Sequence, residues 1–195
     1  MIIKFIKGGL KGYDPEIQKW DKPKVRYFNG EKIEGRPTKG YGISPFEYAG
    51  KFYKPVRWTI PMKSIKRATE LLIYKEFNQT VDFSFCLCGL YKTGEVFIPH
   101  HSDTVPTLDD YVVGVSFGAP RILEWNQYHY QIKRESNTSE INILHEDKYL
   151  ETKRYLIEDG DIYIFDGHSQ MNSTHAIPTL ENVGKRINLT FRTGI

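Results

Sequence analysis

RINLTFR, Arg186 to Arg192, alternates polar and apolar residues with a period of two, the mark of a β-strand whose two faces meet different surroundings. Arg186, Asn188, Thr190 and Arg192 share one face. On the inside of a barrel or sandwich that row stands where aliphatic side chains are usual. Two guanidinium groups there need anionic partners, because an unpaired buried charge is costly. A dicarboxylate satisfies both.

The same period runs backwards from this strand through VDFSFCLCGLY (81–91), YVVGVSFG (111–118), RILEW (121–125), YHYQIKR (128–134), EINILHE (140–146) and YLIEDGDIYIFDG (155–167). Short strands between turn residues in the C-terminal two-thirds predict a β-sandwich or barrel with helices packed outside it. The helical signal sits in TIPMKSIKRATELLIYKEF (59–77), which has Pro near its start and Ile65, Ala68, Leu72 and Tyr74 on a helical repeat. Ahead of it, the chain to about residue 45 is rich in Lys, Gly and Pro. Asp14-Pro15 predicts a helix start there, and Asn29-Gly30 predicts the turn of a short hairpin within KVRYFNGEKIEG (24–35). The basic and aromatic residues of this arm fit either a solvated surface or a flap that contacts substrate.

The 195 residues suit one domain, spanning 1–195, with residues 1–55 as an N-terminal extension and 56–195 as the helix plus β core. Hydrophobic residues at 39% and charged residues at 26% exclude a disordered chain. No apolar run approaches the roughly 20 residues that a membrane helix needs, and the opening segment lacks a cleavage site, so an intracellular protein is expected. Cys86 and Cys88 are too close along a strand to bridge comfortably, which agrees with a reducing compartment. The net charge of +3 permits an anionic partner without demanding one.

Within IPHHSDTV (98–105), strand alternation separates the two histidines: His101 shares a face with Asp103, and His100 with Ser102. A His-x-Asp pair joined by a distant histidine is the 2-His-1-carboxylate set of non-haem Fe(II) oxygenases, which leaves coordination positions open. Taken alone, the pair fits a surface histidine bonded to a carboxylate better than a metal site. The segment GDIYIFDGHSQMNSTHAIP (160–178) offers two distant histidines, His168 and His175.

Taken together, FSFCLCGLYKTGE, HHSD, VVGVSFGAPRILEW, LIEDGDIYIFDG through HAIP, and RINLTFR occur in the order found in the AlkB family of Fe(II)- and 2-oxoglutarate-dependent dioxygenases, and the chain resembles that family over residues 36–195. The resemblance implies an α+β, mainly β fold. Its centre is a double-stranded β-helix (jelly-roll), with N-terminal helices packed on one side and an N-terminal substrate-recognition region. It implies Fe(II) held by His101, Asp103 and His175, with 2-oxoglutarate and O2 as co-substrates. Of the two distant histidines, His175 stands in the H-x-x-P context before the last strand, while His168 belongs to the preceding turn. Arg186 is implied to pair with the far carboxylate of 2-oxoglutarate, helped by Tyr91 and Asn188, although Tyr91 also fits a packed core tyrosine. Arg192 is implied to lie near the chelating carboxylate, and Thr190 to hydrogen-bond within the site. The long separation of Asp103 from His175 is read as an extended hairpin over residues 126–155, which carries His129 and His145.

The implied reaction is oxidative decarboxylation of 2-oxoglutarate to succinate and CO2, coupled to hydroxylation of an N-methyl group on a nucleic-acid base and release of formaldehyde. RPTKGYGISPFEYAG (36–50) resembles the family's nucleotide-recognition region, so Arg36 is expected to meet phosphates and Tyr41, Phe46 and Tyr48 to stack on a flipped-out base. Phe46 equally fits a buried position. Gly89 stands where the family often has Asn, Thr104 and Val105 follow the His-x-Asp pair where repair members carry an acid, and Ser173 replaces an aromatic. These departures keep open a hydroxylase of a protein side chain or small molecule, or an idle binding module. A monomer is expected.

Overall fold

The computed structural model describes residues 4–23, 25–28, 31–43, 45–48, 51–103, 111–128 and 149–193; at 25–28, 31–34, 46–48, 51–53 and 149–150 it describes the backbone path alone. The N-terminal part holds β1 (Lys4–Ile6), β2 (Val25–Phe28), β3 (Glu31–Glu34), β4 (Thr38–Gly42), β5 (Phe46–Tyr48) and β6 (Lys51–Tyr53). Then come α1 (Ile60–Phe77), β7 (Phe85–Tyr91), β8 (Ile98–His101), β9 (Tyr111–Gly118), β10 (Arg121–Tyr128) and β11 (Tyr149–Ile157). The chain closes with β12 (Ile162–Asp166), the four-residue α2 (Gly167–Gln170), β13 (Ser173–Ile177) and β14 (Arg186–Arg192).

The alternating strand β14 lies in the interior of the larger sheet, whose order is β1-β12-β9-β14-β7-β4. β14 runs antiparallel to β7 and β9 on its two sides. Its Leu189 and Phe191 join Cys86, Cys88, Val113, Val115, Ile162 and Ile164 under Met62, Ile65 and Ile73 of α1. The opposite face carries Tyr91, Val112, Tyr163 and Phe165, which pack on Leu123, Trp125, Ile157 and Ile177. Those partners come mainly from the second sheet, ordered β11-β10-β13-β8. The large sheet is therefore a middle layer, with a helix on one face and a smaller antiparallel sheet on the other, in a jelly-roll arrangement. The polar row of β14 looks into the space between the sheets.

α1 begins at Thr59, whose Oγ1 accepts from the Met62 N–H at 3.4 Å, and has Pro in its first turn. It ends at Asn78, where φ of 52° places the left-handed cap and the N–H donates to the Tyr74 carbonyl. Ile65, Ala68 and Leu72 face the core as the repeat predicts, but Tyr74 is 53% exposed and lies off that face. Phe28 pairs with Glu31, as a two-residue connection at Asn29-Gly30 requires. β10 and β11 pair from Arg121↔Ile157 out to Tyr128↔Tyr149, which is the base of the extended hairpin. The strands expected at 129–134 and 140–146, with His129 and His145, lie outside the described residues.

One expectation fails at Asp14-Pro15, where no helix starts. Asp14 Oδ1 accepts from the Glu16 N–H at 2.8 Å and Glu16 takes a φ of 48°, so the side chain closes a local turn instead of capping a helix. Among the described residues, the expected N-terminal helices reduce to α1.

The Tyr163 ring lies across Gly114, its partner on β9. A Cβ on Gly114 would stand 2.0 Å from ring atoms of Tyr163. Gly114→Ala is therefore expected to cost about 1–3 kcal/mol through overpacking, read as a lower urea midpoint at unchanged m-value. A midpoint equal to that of the parent protein would show that Tyr163 is not held there.

Candidate active site

β13 sits between β10 and β8, with Trp125 paired to His175 and His175 paired to His101. Pairing in this register turns both histidines to the inner face of the small sheet, with ring centroids 4.3 Å apart. His100 turns the other way. Its Nε2 lies 3.0 Å from Glu124 Oε1 and its Nδ1 3.2 Å from Thr174 Oγ1, in an outward-facing network that also holds Arg154. Strand alternation thus separates the two histidines as the sequence predicts. His168 is an exposed residue of α2, outside the cluster.

Past the end of β8 the chain is held against α2 and β13. Ser102 Oγ donates to the Ser173 carbonyl at 2.5 Å, and the Asp103 N–H donates to Gln170 Oε1 at 2.9 Å. These bonds place the Asp103 carboxylate beside both rings, with Oδ1 at 4.0 Å from His101 Nε2 and Oδ2 at 3.7 Å from His175 Nε2. The three donor atoms lie within 4.8 Å of one another. His101 Nδ1 is 2.9 Å from the Pro99 carbonyl, which can only accept, so Nδ1 carries a proton and Nε2 is the ring nitrogen turned toward Asp103. Burial, and then the neighbouring His101, push the His175 pKa down to about 3, so this ring is neutral at physiological pH. Two imidazoles and a carboxylate converging in this way suit a first-row divalent metal and leave positions open for further ligands.

Arg192 donates through Nη2 to Asp103 Oδ1 at 2.6 Å, and both side chains are buried. Further along the same face of β14, Asn188 Nδ2 donates to Thr190 Oγ1 at 2.9 Å. Arg186 donates to Asn188 Oδ1 at 2.7 Å and, through Nε, to Ser116 Oγ at 2.8 Å. The Tyr163 hydroxyl donates to the same Asn188 oxygen at 2.6 Å, and burial pushes this phenol's pKa up. Arg186 Nη1 is buried without a hydrogen-bond partner. Its guanidinium lies 4.8 Å from the centre of the Tyr91 ring, opposite it in the β7 register. Tyr91, Arg186, Asn188, Thr190 and Arg192 thus line one polar strip that ends at Asp103. An orphaned, buried guanidinium N–H at one end and an open metal-ligand set at the other fit a small dicarboxylate that also chelates the metal.

Sequence reasoning missed Ser116, Tyr163, Gln170 and Arg121 as members of this neighbourhood. Arg121 is fully buried and donates to the carbonyls of Gly94, Thr93 and Val96. Burial, and then the charge of Arg186, lower its pKa. The one available signal was Gly114 opposite Tyr163, since a glycine inside a strand marks a close approach.

The residues expected to recognise a base divide. Tyr41 is 4% exposed and belongs to the helix-side core, where its ring stacks on Trp58 and Trp58 on Phe191. That position does not fit an exposed stacking wall. Arg36 lies with Tyr91, its guanidinium 5.2 Å from the ring centre. Phe46 and Tyr48 belong to the β5–β6 hairpin, and their side chains, like residues 104–110, lie outside the described part.

Three comparisons bear on this site. The family profile described as the 2OG-Fe(II) oxygenase superfamily matches residues 13–192. An uncharacterized protein of Acanthamoeba polyphaga mimivirus is 28% identical over 149 residues, covering 75% of this chain; the match spans 65% of that protein's length. The solved structure of OsALKBH1 superposes with a TM-score of 0.51 at 16% identity, covering 96% of this chain and 87% of the other, which is a likeness of fold.

Removing one member of a buried ion pair leaves an uncompensated charge. Arg192→Ala is expected to lower the stability of the metal-free protein by about 3–5 kcal/mol in urea unfolding. A loss below about 1 kcal/mol, the range of exposed pairs, would show that Asp103 and Arg192 are solvated rather than locked together.

Proposed function

The chain belongs to the 2OG-Fe(II) oxygenase superfamily, and from that premise we propose that it is an AlkB-like oxidative demethylase of N-alkylated nucleic-acid bases. It is an Fe(II)- and 2-oxoglutarate-dependent dioxygenase that uses O2. In the proposed mechanism His101, Asp103 and His175 hold the iron. Fe(II) with its two co-substrates supplies the oxidising power to hydroxylate a C–H bond, while 2-oxoglutarate leaves as succinate and CO2.

The chain's own residues account for orientation. His101 and His175 turn their Nε2 atoms toward Asp103, and Arg192 keeps one Asp103 oxygen engaged so that the carboxylate cannot rotate freely. Arg186, beside Tyr91, would hold the far carboxylate of 2-oxoglutarate, and Asn188, itself bonded to Thr190, steadies Arg186. Packing of Trp125 and Phe165 on His175 keeps water from the inner side of that ligand. Hydroxylation of an N-methyl carbon gives a hemiaminal, which breaks its C–N bond to release formaldehyde and the unmethylated base.

The observation that carries the reading is the convergence of the His-x-Asp pair, the distant histidine and the alternating arginine strand on one strip between two sheets. The fold likeness to OsALKBH1 and the order of the motifs support a nucleic-acid substrate, which would be met by an intracellular monomer. Among the described residues no helix is long and apolar enough to cross a membrane. A second reading keeps the chemistry and moves it to a protein side chain or small molecule. It is favoured by the burial of Tyr41, which removes one of the expected stacking rings.

The test is anaerobic loading with Fe(II), then air and 2-oxoglutarate with a panel of methylated DNA and RNA oligomers. Succinate and formaldehyde should form in equal amounts with the parent protein and fall below detection in His175→Ala. Turnover of 2-oxoglutarate with other substrates, and none with any oligomer, would replace the first reading by the second. Retained turnover in His175→Ala would remove that residue from the iron.

A further inference from the structure

Three guanidinium groups lie around one tyrosine: Arg186 at 4.8 Å, Arg36 at 5.2 Å and Arg121 at 5.3 Å from the centre of the Tyr91 ring. Both terminal nitrogens of Arg121 donate to backbone carbonyls of the turn after β7, which leaves its Nε alone without a partner. Arg186 uses two of its three nitrogens, on Ser116 and Asn188. Arg186 Nη1 and Arg36 Nε are both buried without a hydrogen-bond partner. Two like charges against one ring, each with an unpaired donor and neither with a carboxylate partner among the described residues, suit an anion placed between them.

Arg36 reaches this position through a specific piece of backbone. The Leu90 N–H donates to the Pro37 carbonyl at 2.9 Å, and Thr38 pairs with Gly89 where β4 joins β7. The residue before Pro37 is thereby laid alongside residue 89. A Cβ at Gly89 would stand 2.2 Å from Arg36 Nε and 3.0 Å from its Cδ. The missing side chain of Gly89 is the slot through which Arg36 enters the space beside Tyr91.

We propose that Arg36 is a co-substrate-binding residue, which clamps the far carboxylate of 2-oxoglutarate together with Arg186 and Tyr91, and that Gly89 is the specificity-determining gap that admits it. The proposal rests on the reading of the strip as the 2-oxoglutarate site. A carboxylate has two oxygens and about four acceptor positions, enough for both guanidinium groups. Placed here, Arg36 serves the co-substrate and not the phosphates of a nucleic acid.

The experiment measures binding to the Fe(II)-loaded protein without oxygen, by calorimetry, with two probes. 2-Oxoglutarate carries the far carboxylate, whereas pyruvate keeps the chelating 2-oxo acid and lacks it. Arg36→Ala should weaken 2-oxoglutarate about tenfold to a hundredfold, the loss of one or two hydrogen bonds to a charged group, and leave pyruvate within about twofold. Arg36→Lys should recover part of the loss. Gly89→Ala should reproduce the effect by displacing Arg36, and the double variant should bind no worse than Arg36→Ala, because both changes remove one interaction.

Unchanged 2-oxoglutarate affinity in Arg36→Ala would overturn the proposal while leaving the site reading intact. Equal loss of both probes would also overturn it, as the mark of general damage. If Arg36→Ala instead weakens only a methylated oligonucleotide, with a shallower salt dependence, the residue contacts phosphate and the proposal is wrong. A parent protein that binds neither probe would overturn the site reading itself.

Discussion

The buried pair between Arg192 and Asp103, at 2.6 Å, is the contact on which the rest of the site depends. Arg192 closes β14 in the large sheet, and Asp103 lies past the end of β8 in the small one. The pair ties the two sheets together at the place where their inner faces open. Burying two charges is worthwhile only when geometry and further hydrogen bonds compensate for lost hydration. Here the Gln170 bond to the Asp103 N–H and the Ser102 bond to Ser173 supply that support from the neighbouring chain. With one carboxylate oxygen engaged by Arg192, the other is left beside His175. The ion pair thus sets both the spacing of the sheets and the aim of the acidic donor.

From that anchor a single strand carries the chemistry. Its inner face runs from Arg192 through Thr190 and Asn188 to Arg186, with Arg186, Asn188 and Thr190 linked by hydrogen bonds and Arg192 bonded to Asp103. Its outer face, with Leu189 and Phe191, sits in the core beneath α1. The outer residues hold the strand rigidly in the sheet interior, and the inner ones inherit that rigidity. Two guanidinium groups six residues apart are kept in fixed relation without a loop between them, which suits a small ligand recognised at both ends.

Much of this was legible in the sequence because it depends on a period of two. Alternation assigned His101 and Asp103 to one face and His100 to the other, and it separated the polar and apolar residues of β14. Helix α1 was legible from its repeat and its start signals. What escaped depends on neighbours that periodicity does not name. At Asp14 the side chain bonded its own backbone two residues on, a local choice that competes with capping. Tyr41 looked like a stacking residue because it lies among basic and aromatic residues, yet β4 joins the large sheet and turns this ring toward Trp58. Arg36 looked like a surface cation until its registration beside Gly89 showed where its stem runs. In the sequence Gly89 stands out only as a missing asparagine, whereas its physical meaning is the space it leaves.

The most direct measurement of the account is anomalous scattering at the iron edge from crystals grown anaerobically with Fe(II) and 2-oxoglutarate. One peak is expected between His101 Nε2, His175 Nε2 and an Asp103 oxygen, at metal-ligand distances of about 2.0–2.2 Å, with density for the dicarboxylate running from it to Arg186. A peak at another group of residues, or iron at this one with the far carboxylate turned away from Arg186, would contradict it.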